Sequence, residues 1–219
     1  MLPMPSNGEL VRRVPRLVIG LALFGFGIAL MVLADLGLSP WEVLHQGISR
    51  TTGVPIGTVG IITGALVLLL WIPLRERVGI GTMLNVVLIG IVIDLTLWLA
   101  PIEPTAAWHQ WVLLIVGILI IAVATGLYIG VGLGPGPRDG LMTGIGKRGV
   151  PIGLARGAIE LTVLGLGFLL GGTVGIGTLL FAFGIGPLVG WMLPVLAISP
   201  VEGRSVTPAT TAIPIPDEA

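Results

Sequence analysis

The sequence predicts an all-α integral membrane protein: six transmembrane helices forming a 3+3 inverted repeat, with short amphipathic or re-entrant helices after the first and fourth spans. Three observations carry this prediction. First, 54% of the chain is apolar and 10% charged, with a mean hydropathy of +1.07, against about 25% charged in an ordinary soluble domain. Second, six apolar segments are each long enough to cross a bilayer, since 18 helical residues rise roughly 27 Å. Third, Gly53-Val54-Pro55-Ile56-Gly57 recurs as Gly149-Val150-Pro151-Ile152-Gly153, and Val78-Gly79-Ile80-Gly81-Thr82 recurs as Val174-Gly175-Ile176-Gly177-Thr178. Both pairs share one offset, and with a single one-residue gap the match extends upstream to Leu36-Gly37 against Leu133-Gly134. The chain is two halves of one fold.

The elements follow in order. Residues 1–16 form a short polar N-terminus, with Arg12, Arg13 and Arg16 ahead of the uncharged run Leu17–Ala34. That run resembles a signal sequence in its basic flank, but its length and the spans that follow make it a retained first helix. The other spans are Gly57–Leu74, Gly79–Leu99, Trp111–Leu133, Gly153–Leu170 and Val174–Ile198. The first repeat therefore occupies 17–100 and the second 111–198. Residues 199–219, with four prolines among Thr, Ala and acids, read as a disordered cytoplasmic tail.

Between the first and second spans, Ser39-Pro40-Trp41-Glu42 has the pattern of a capping box with proline at the first helical position, so a short helix starts there. Its faces are Val43, Leu44, Gly47 and Ile48 on one side and Glu42, His45, Gln46 and Ser49 on the other. Gly136-Pro137-Arg138-Asp139 opens the counterpart in the second half. Such helices lie in the interface or dip back into the bundle where protein or a watery cavity surrounds them, and both readings stay open. Re-entrance would aim two helix N-termini, with their partial positive charge, toward the centre. The glycine pairs Gly79/Gly81 and Gly175/Gly177 begin the third helix of each half. They are either a turn fixed by packing or a flexible helix start that absorbs motion.

Basic residues set the orientation. With the N-terminus in the cytoplasm, Arg12, Arg13, Arg16, Arg75, Arg77, Arg138, Lys147, Arg148 and Arg204 fall inside, Arg156 lies near the inner end of its helix, and only Arg50 falls outside. Both termini are then cytoplasmic. Six spans in two matching halves of three also require the second half to enter from the opposite face. His45 and His109 fall in or beside outer loops and read as solvated, and Trp98, Trp108 and Trp111 read as an aromatic belt.

Polar groups within spans point to function, because an ionisable side chain in hydrocarbon costs at least ~2.5 kcal/mol. Asn85 and Glu160 lie at similar depth from the inner side, with Arg156 one turn before Glu160 on the same face. These three are expected to line one inward cavity, or Arg156 and Glu160 simply neutralise each other. Asp94 falls in the outer leaflet, as a gate or proton relay or as an acid reaching toward the interface. None is matched across the repeats: Asn85 aligns with Phe181, Asp94 with Gly190, Arg156 with Gly60 and Glu160 with Gly64.

These stretches, Leu36–Gly47, Gly79–Thr82 with Asn85, Gly90 and Asp94, then Gly136–Met142, Arg156, Ile159-Glu160 and Gly171–Thr178, resemble the YczE/YyaS/YitT group of bacterial multi-spanning membrane proteins. The likeness covers about Leu17 to Leu193 and is nearer the short YczE-like branch than the YitT branch, whose longer members add a soluble C-terminal domain. It implies an integral protein of the bacterial cytoplasmic membrane and names no substrate.

The expected function is secondary transport of a small solute by alternating access between the inverted repeats. Glu160 and Arg156 would contact solute or a coupling proton, and Asn85 would add a neutral hydrogen bond. The alternatives are a non-transporting accessory or scaffold protein and a substrate-capture subunit of a multicomponent importer. No enzymatic site is expected: there is no Ser/His pairing, histidine cluster or spaced carboxylate pair within a span. The absence of cysteine excludes disulfides, thiolate metal sites and cysteine nucleophiles. No cofactor, metal or nucleic acid is expected; the lipid bilayer is the surrounding partner, and a homodimer or a membrane-protein partner stays open.

Overall fold

The computed structural model describes residues 7–100 and 106–198; the tail at 199–219 lies outside them. Among the described residues the chain is entirely helical, with eight helices: α1 Asn7–Ala34, α2 Pro40–Thr52, α3 Ile56–Leu74, α4 Ile80–Leu99, α5 Ala107–Ile129, α6 Pro137–Gly146, α7 Ile152–Leu169 and α8 Ile176–Leu196. Six of them, all but α2 and α6, are long and apolar enough to cross a membrane. The spans match the apolar segments to within a few residues at most ends. The exception is α1, which begins ten residues upstream of Leu17 because Glu9 and Arg13 form an i,i+4 pair at 3.1 Å on an added helical stretch. At the other extreme, α5 stops at Ile129 rather than Leu133, where Gly132 and Gly134 take positive φ angles of 65° and 132°.

Helices α1 and α5 form the spine and run antiparallel: Gly20 of α1 meets Ala124 to Tyr128, whereas Gly27 meets Gly117 to Ile121. Their shared core holds Ile28, Met31, Leu114, Ile118 and Ile121. Around this spine α4 packs on α1 and α8 packs on α5. The basic end carries Arg13 and Arg16, which bond the carbonyls of Val131 and Leu196. At the opposite end Trp98, Trp108 and Trp111 are exposed.

Two reciprocal clasps join the halves. Leu36 O, just past α1, accepts from Gly177 N at 2.8 Å, at the start of α8. Leu133 O, just past α5, accepts from Gly81 N at 3.0 Å, at the start of α4. In each clasp a threonine three residues into the helix caps its start: Thr82 Oγ1 accepts from Gly79 N at 3.3 Å and Thr178 Oγ1 from Gly175 N at 3.2 Å. A Cβ at Gly79 would lie 2.4 Å from Leu133 O, and one at Gly175 would lie 2.5 Å from Leu36 O. Glycine is therefore required for close backbone approach, and packing accounts for the repeated Val-Gly-Ile-Gly-Thr.

The short helices are held inside the bundle. On α2, Trp41, Glu42, Val43, His45, Gln46 and Gly47 are all buried, so both its apolar and its polar faces are covered by protein. It packs on α7, where a Cβ at Gly167 would overlap the backbone of Val43 and Leu44. Helix α6 packs on α3 with the sizes reversed: Gly140 receives the ring of Trp71, whose Nε1 donates to Pro137 O at 3.0 Å. The far ends of these helices are tied to opposite loops. Arg50 bonds Gly171 O at 2.5 Å, and Lys147 bonds Glu76 at 2.8 Å. Both helices thus begin within the bundle and run outward in opposite senses.

Candidate functional site

The first turns of α2 and α6 meet. Arg138 Nη2 donates to Glu42 Oε1 at 2.6 Å, and the Arg138 guanidinium lies over the Trp41 ring, 5.0 Å from its centroid. Trp41 and Arg138 occupy matching places in the two halves, so the contact ties one half to the other at equivalent points. Glu42 also accepts from Ser39 Oγ and lies 3.9 Å from His45 Nδ1. This replaces the capping box expected at Ser39: the serine occupies the N-cap position but makes no cap bond to the backbone. Arg138, 96 residues away, draws the Glu42 carboxylate out of the reach-back geometry, and the serine follows it. Gly136 caps α6 without any side chain, so neither short helix has a side-chain cap on its N-terminus.

A cavity of about 760 Å³ surrounds this meeting point, within the range typical of small-molecule sites. Ser39, Pro40, Glu42, Pro137, Arg138 and Asp139 line it, together with Asn85, Arg156 and Glu160. Arg156 Nε donates to Glu160 Oε1 at 3.0 Å across one helical turn, and more than half of the Arg156 side chain remains exposed. Asp139 lies 3.5 Å from the Tyr128 hydroxyl, and both arginines are within electrostatic reach of that pair. Apolar walls come from Phe24, Ile28, Met31, Ile89, Ile93 and Ile121.

Two placements differ from the sequence reading, those of His45 and Arg138. His45 is not solvated in an outer loop but 4% exposed on the cavity wall, and its Nε2, like Trp41 Nε1, has no hydrogen-bond partner among the described residues. Arg138 leaves the inner loop for the pair with the buried Glu42, its own side chain remaining about a third exposed. Asp94 lies outside the main cavity, where its carboxylate accepts from Gly57 N at 2.6 Å, Thr58 N at 2.7 Å and Thr58 Oγ1 at 2.7 Å. It caps the N-terminus of α3 from α4, a favourable place for an anion. Gly79, Gly81, Gly175 and Gly177 belong to the clasps rather than the cavity. Tyr128 and Trp41 are site residues that sequence reasoning missed, because an aromatic at a helix end has the same pattern whether it packs a core or lines a cavity.

The halves differ in how their last two helices meet. Along α3, Gly57 and Gly64 meet α4: a Cβ at Gly57 would lie 2.0 Å from Gly90 O, one at Gly90 2.4 Å from Gly57 O, and one at Gly64 3.1 Å from Val86, while Gly60 faces His45 of α2 instead. α3 and α4 accordingly pack closely. The equivalent residues in the second half are Gly153, Arg156 and Glu160 facing Gly186, and nothing lies within 4 Å of a Cβ at Gly153 or Gly186. α7 and α8 lack the packing that joins α3 to α4. Two long charged side chains stand where the first half has glycine, and the cavity opens on that side.

No solved structure matches this chain. Among curated proteins it is 43% identical over 186 residues to an uncharacterised protein of Haemophilus influenzae, covering 84% of each chain. It is 35% identical over 189 residues to the uncharacterised membrane protein YczE of Bacillus subtilis, covering 85% of this chain and 87% of YczE. The uncharacterised protein YyaS of the same organism is 26% identical over 186 residues, covering 81% and 90%. A family model described as a family of unknown function, DUF6198, matches residues 11–194. With α2 to α7 wholly inside that match, the chain belongs to the DUF6198 family, and its likeness to YczE makes it a YczE-like membrane protein.

Proposed function

We propose that this protein is a secondary transporter of a small solute, working by alternating access between two inverted three-helix repeats. One observation carries the reading: the glycine contact built into both halves is closed in the first, Gly57 against Gly90, and parted in the second, at Gly153 and Gly186. Two copies of one hinge face in opposite states, as expected of a carrier stopped in one half of its cycle. The antiparallel spine and the reciprocal clasps support the inverted arrangement. With the basic end in the cytoplasm, the parted pair makes this the inward-open state of a bacterial cytoplasmic-membrane protein.

In this scheme Asp94 holds the outer side shut by fastening α3 to α4. Its counterpart is Gly190, so the inner side has no matching latch. Arg156 and Glu160 line the inner mouth, and Asn85 and Arg138 stand deeper in the cavity. A change of state would close Gly153 on Gly186, folding the Arg156–Glu160 pair away from water, and would open Gly57 from Gly90.

The test uses the cysteine-free background. Gly153→Cys with Gly186→Cys introduces side chains where there is open room, so the variant folds. In membranes the pair is expected to form a disulfide under oxidation as the chain visits the closed inner state, and to be trapped there until reduced. A folded double variant that never cross-links, with oxidant or with short bifunctional reagents, would refute alternating access. In vesicles, Glu160→Gln is expected to remove the dependence of uptake on a pH gradient.

A further inference from the structure

The proposed transport site carries groups of both charges that keep hydrogen-bonding capacity to spare. Arg138 contacts Glu42 through Nη2 and Arg156 contacts Glu160 through Nε; among the described residues no other side-chain or backbone group bonds the remaining nitrogens of either guanidinium. On the acidic side, the Asp139 carboxylate accepts from the Gly136 backbone and lies 3.5 Å from the Tyr128 hydroxyl, and Glu160 keeps Oε2 open. Around Gly136 three polar atoms converge. A Cβ there would lie 3.2 Å from Asp139 Oδ2, 3.5 Å from Tyr128 Oη and 3.8 Å from the Asn85 side-chain amide. Asp139, Tyr128 and Asn85 all line the cavity, and with this glycine they form a polar nook of it at the start of α6.

We infer that the solute is a small zwitterion with an apolar body, its ammonium held in the nook formed by Asp139, Tyr128 and Asn85 and its carboxylate by the open guanidinium nitrogens of Arg138 and Arg156. An ammonium has three donors and the nook offers a carboxylate, a phenol oxygen and an amide that presents its oxygen on a flip of Asn85. A carboxylate takes two parallel bonds from a guanidinium. A pure anion would leave Asp139 facing like charge in a partly desolvated site, and a pure cation would do the same to the two arginines, each a costly arrangement. A zwitterion satisfies both sets at once. Its body then meets Phe24, Ile28, Met31 and Ile89, a wall suited to an aliphatic or aromatic side chain of amino-acid size.

This deepens the transporter reading and rests on it, and the experiment separates the two. The purified full chain is screened by thermal stability against pools of the standard amino acids, with methylated betaines, which lack N–H donors, as a control expected to give no shift, then against leucine, leucinamide and 4-methylpentanoate. A ligand selective for the folded state raises stability by mass action. The expected result is a shift from one apolar zwitterion that its carboxyl-blocked and deaminated analogues do not reproduce. Arg156→Gln, on a largely exposed side chain, and Asp139→Asn should each weaken that binding about tenfold or more, matching the loss of one charge-assisted bond. Equal shifts from the amide or the acid alone would overturn the proposal. So would no shift from any zwitterion when the Gly153→Cys/Gly186→Cys pair still cross-links, an outcome that leaves alternating access standing and removes the zwitterion.

Discussion

Replacing Asp94 by alanine strips the start of α3 of three hydrogen bonds at once. The carboxylate accepts from Gly57 N, Thr58 N and Thr58 Oγ1 at 2.6 to 2.7 Å, all short enough to be charge-assisted. Loss of an N-cap costs about 0.5–2 kcal/mol, and loss of a negative charge at a helix N-terminus adds about 0.3–1 kcal/mol. Asp94 is only half-buried, so water recovers part of the difference, and about 2 kcal/mol is a reasonable total. Asp94→Asn keeps one acceptor and should lose about half as much. Hydrogen exchange of the Gly57 and Thr58 amides is the direct assay, because those protons are the ones released. A loss of 2 kcal/mol in local protection speeds exchange roughly 30-fold, confined to the first turn of α3, with α7 unchanged. If exchange there matches the parent within a factor of three, the cap is not holding the helix and the argument that Asp94 latches α3 to α4 fails.

Other consequences can be tested by stability in detergent. Gly140→Ala should be strongly destabilising, by about 2 kcal/mol or more, because its Cβ would lie 1.9 Å from the Trp71 ring. Gly165→Ala, with nothing within 4 Å, should be neutral or gain up to about 1 kcal/mol from helix propensity. Trp71→Phe keeps most of the packing but frees Pro137 O, and should cost roughly 1 kcal/mol, measurable by denaturant unfolding. Arg156→Gln and Glu160→Gln break an exposed i,i+4 pair and should each change stability by less than about 0.5 kcal/mol. A reconstituted-vesicle assay should nevertheless show both variants impaired in solute uptake, a separation that a purely structural pair would not produce.

The spans were legible because a bilayer imposes length and apolarity on each helix separately, and no long-range contact is needed to read Ile56–Leu74 or Ile80–Leu99. The start of α1 was not, because its added stretch is polar and is kept helical by Glu9 and Arg13 rather than by hydrophobicity. His45 was misplaced for a related reason. A polar helix face reads as facing water, and here that face is turned into the bundle, where His45 is 4% exposed on the cavity wall. The expected bond between Ser39 and the α2 backbone follows local pattern rules, yet Arg138 from the other half takes the Glu42 carboxylate, which no local window can reveal. The inequality between the halves was present in the alignment of Gly60 with Arg156 and Gly64 with Glu160. Its meaning depends on knowing that Gly64 lets α3 touch α4 while Gly60 makes room for His45 of α2, facts of packing that a single sequence does not contain.

The reciprocal clasps bear on how the chain is made. Helix α4 is synthesised long before residues 133–135, yet Gly81 N and Thr82 Oγ1 find their acceptors on Leu133 and Pro135. Leu36 O, near the beginning, waits for Gly177, near the end. Each half emerges from the ribosome with polar backbone at membrane depth that only the other half can satisfy, a condition that hydrocarbon penalises. The first repeat is therefore an unfinished body until the last helix inserts. Either half expressed alone should be a substrate for membrane quality control, whereas two halves produced together in one cell hold the complementary edges needed to rescue each other.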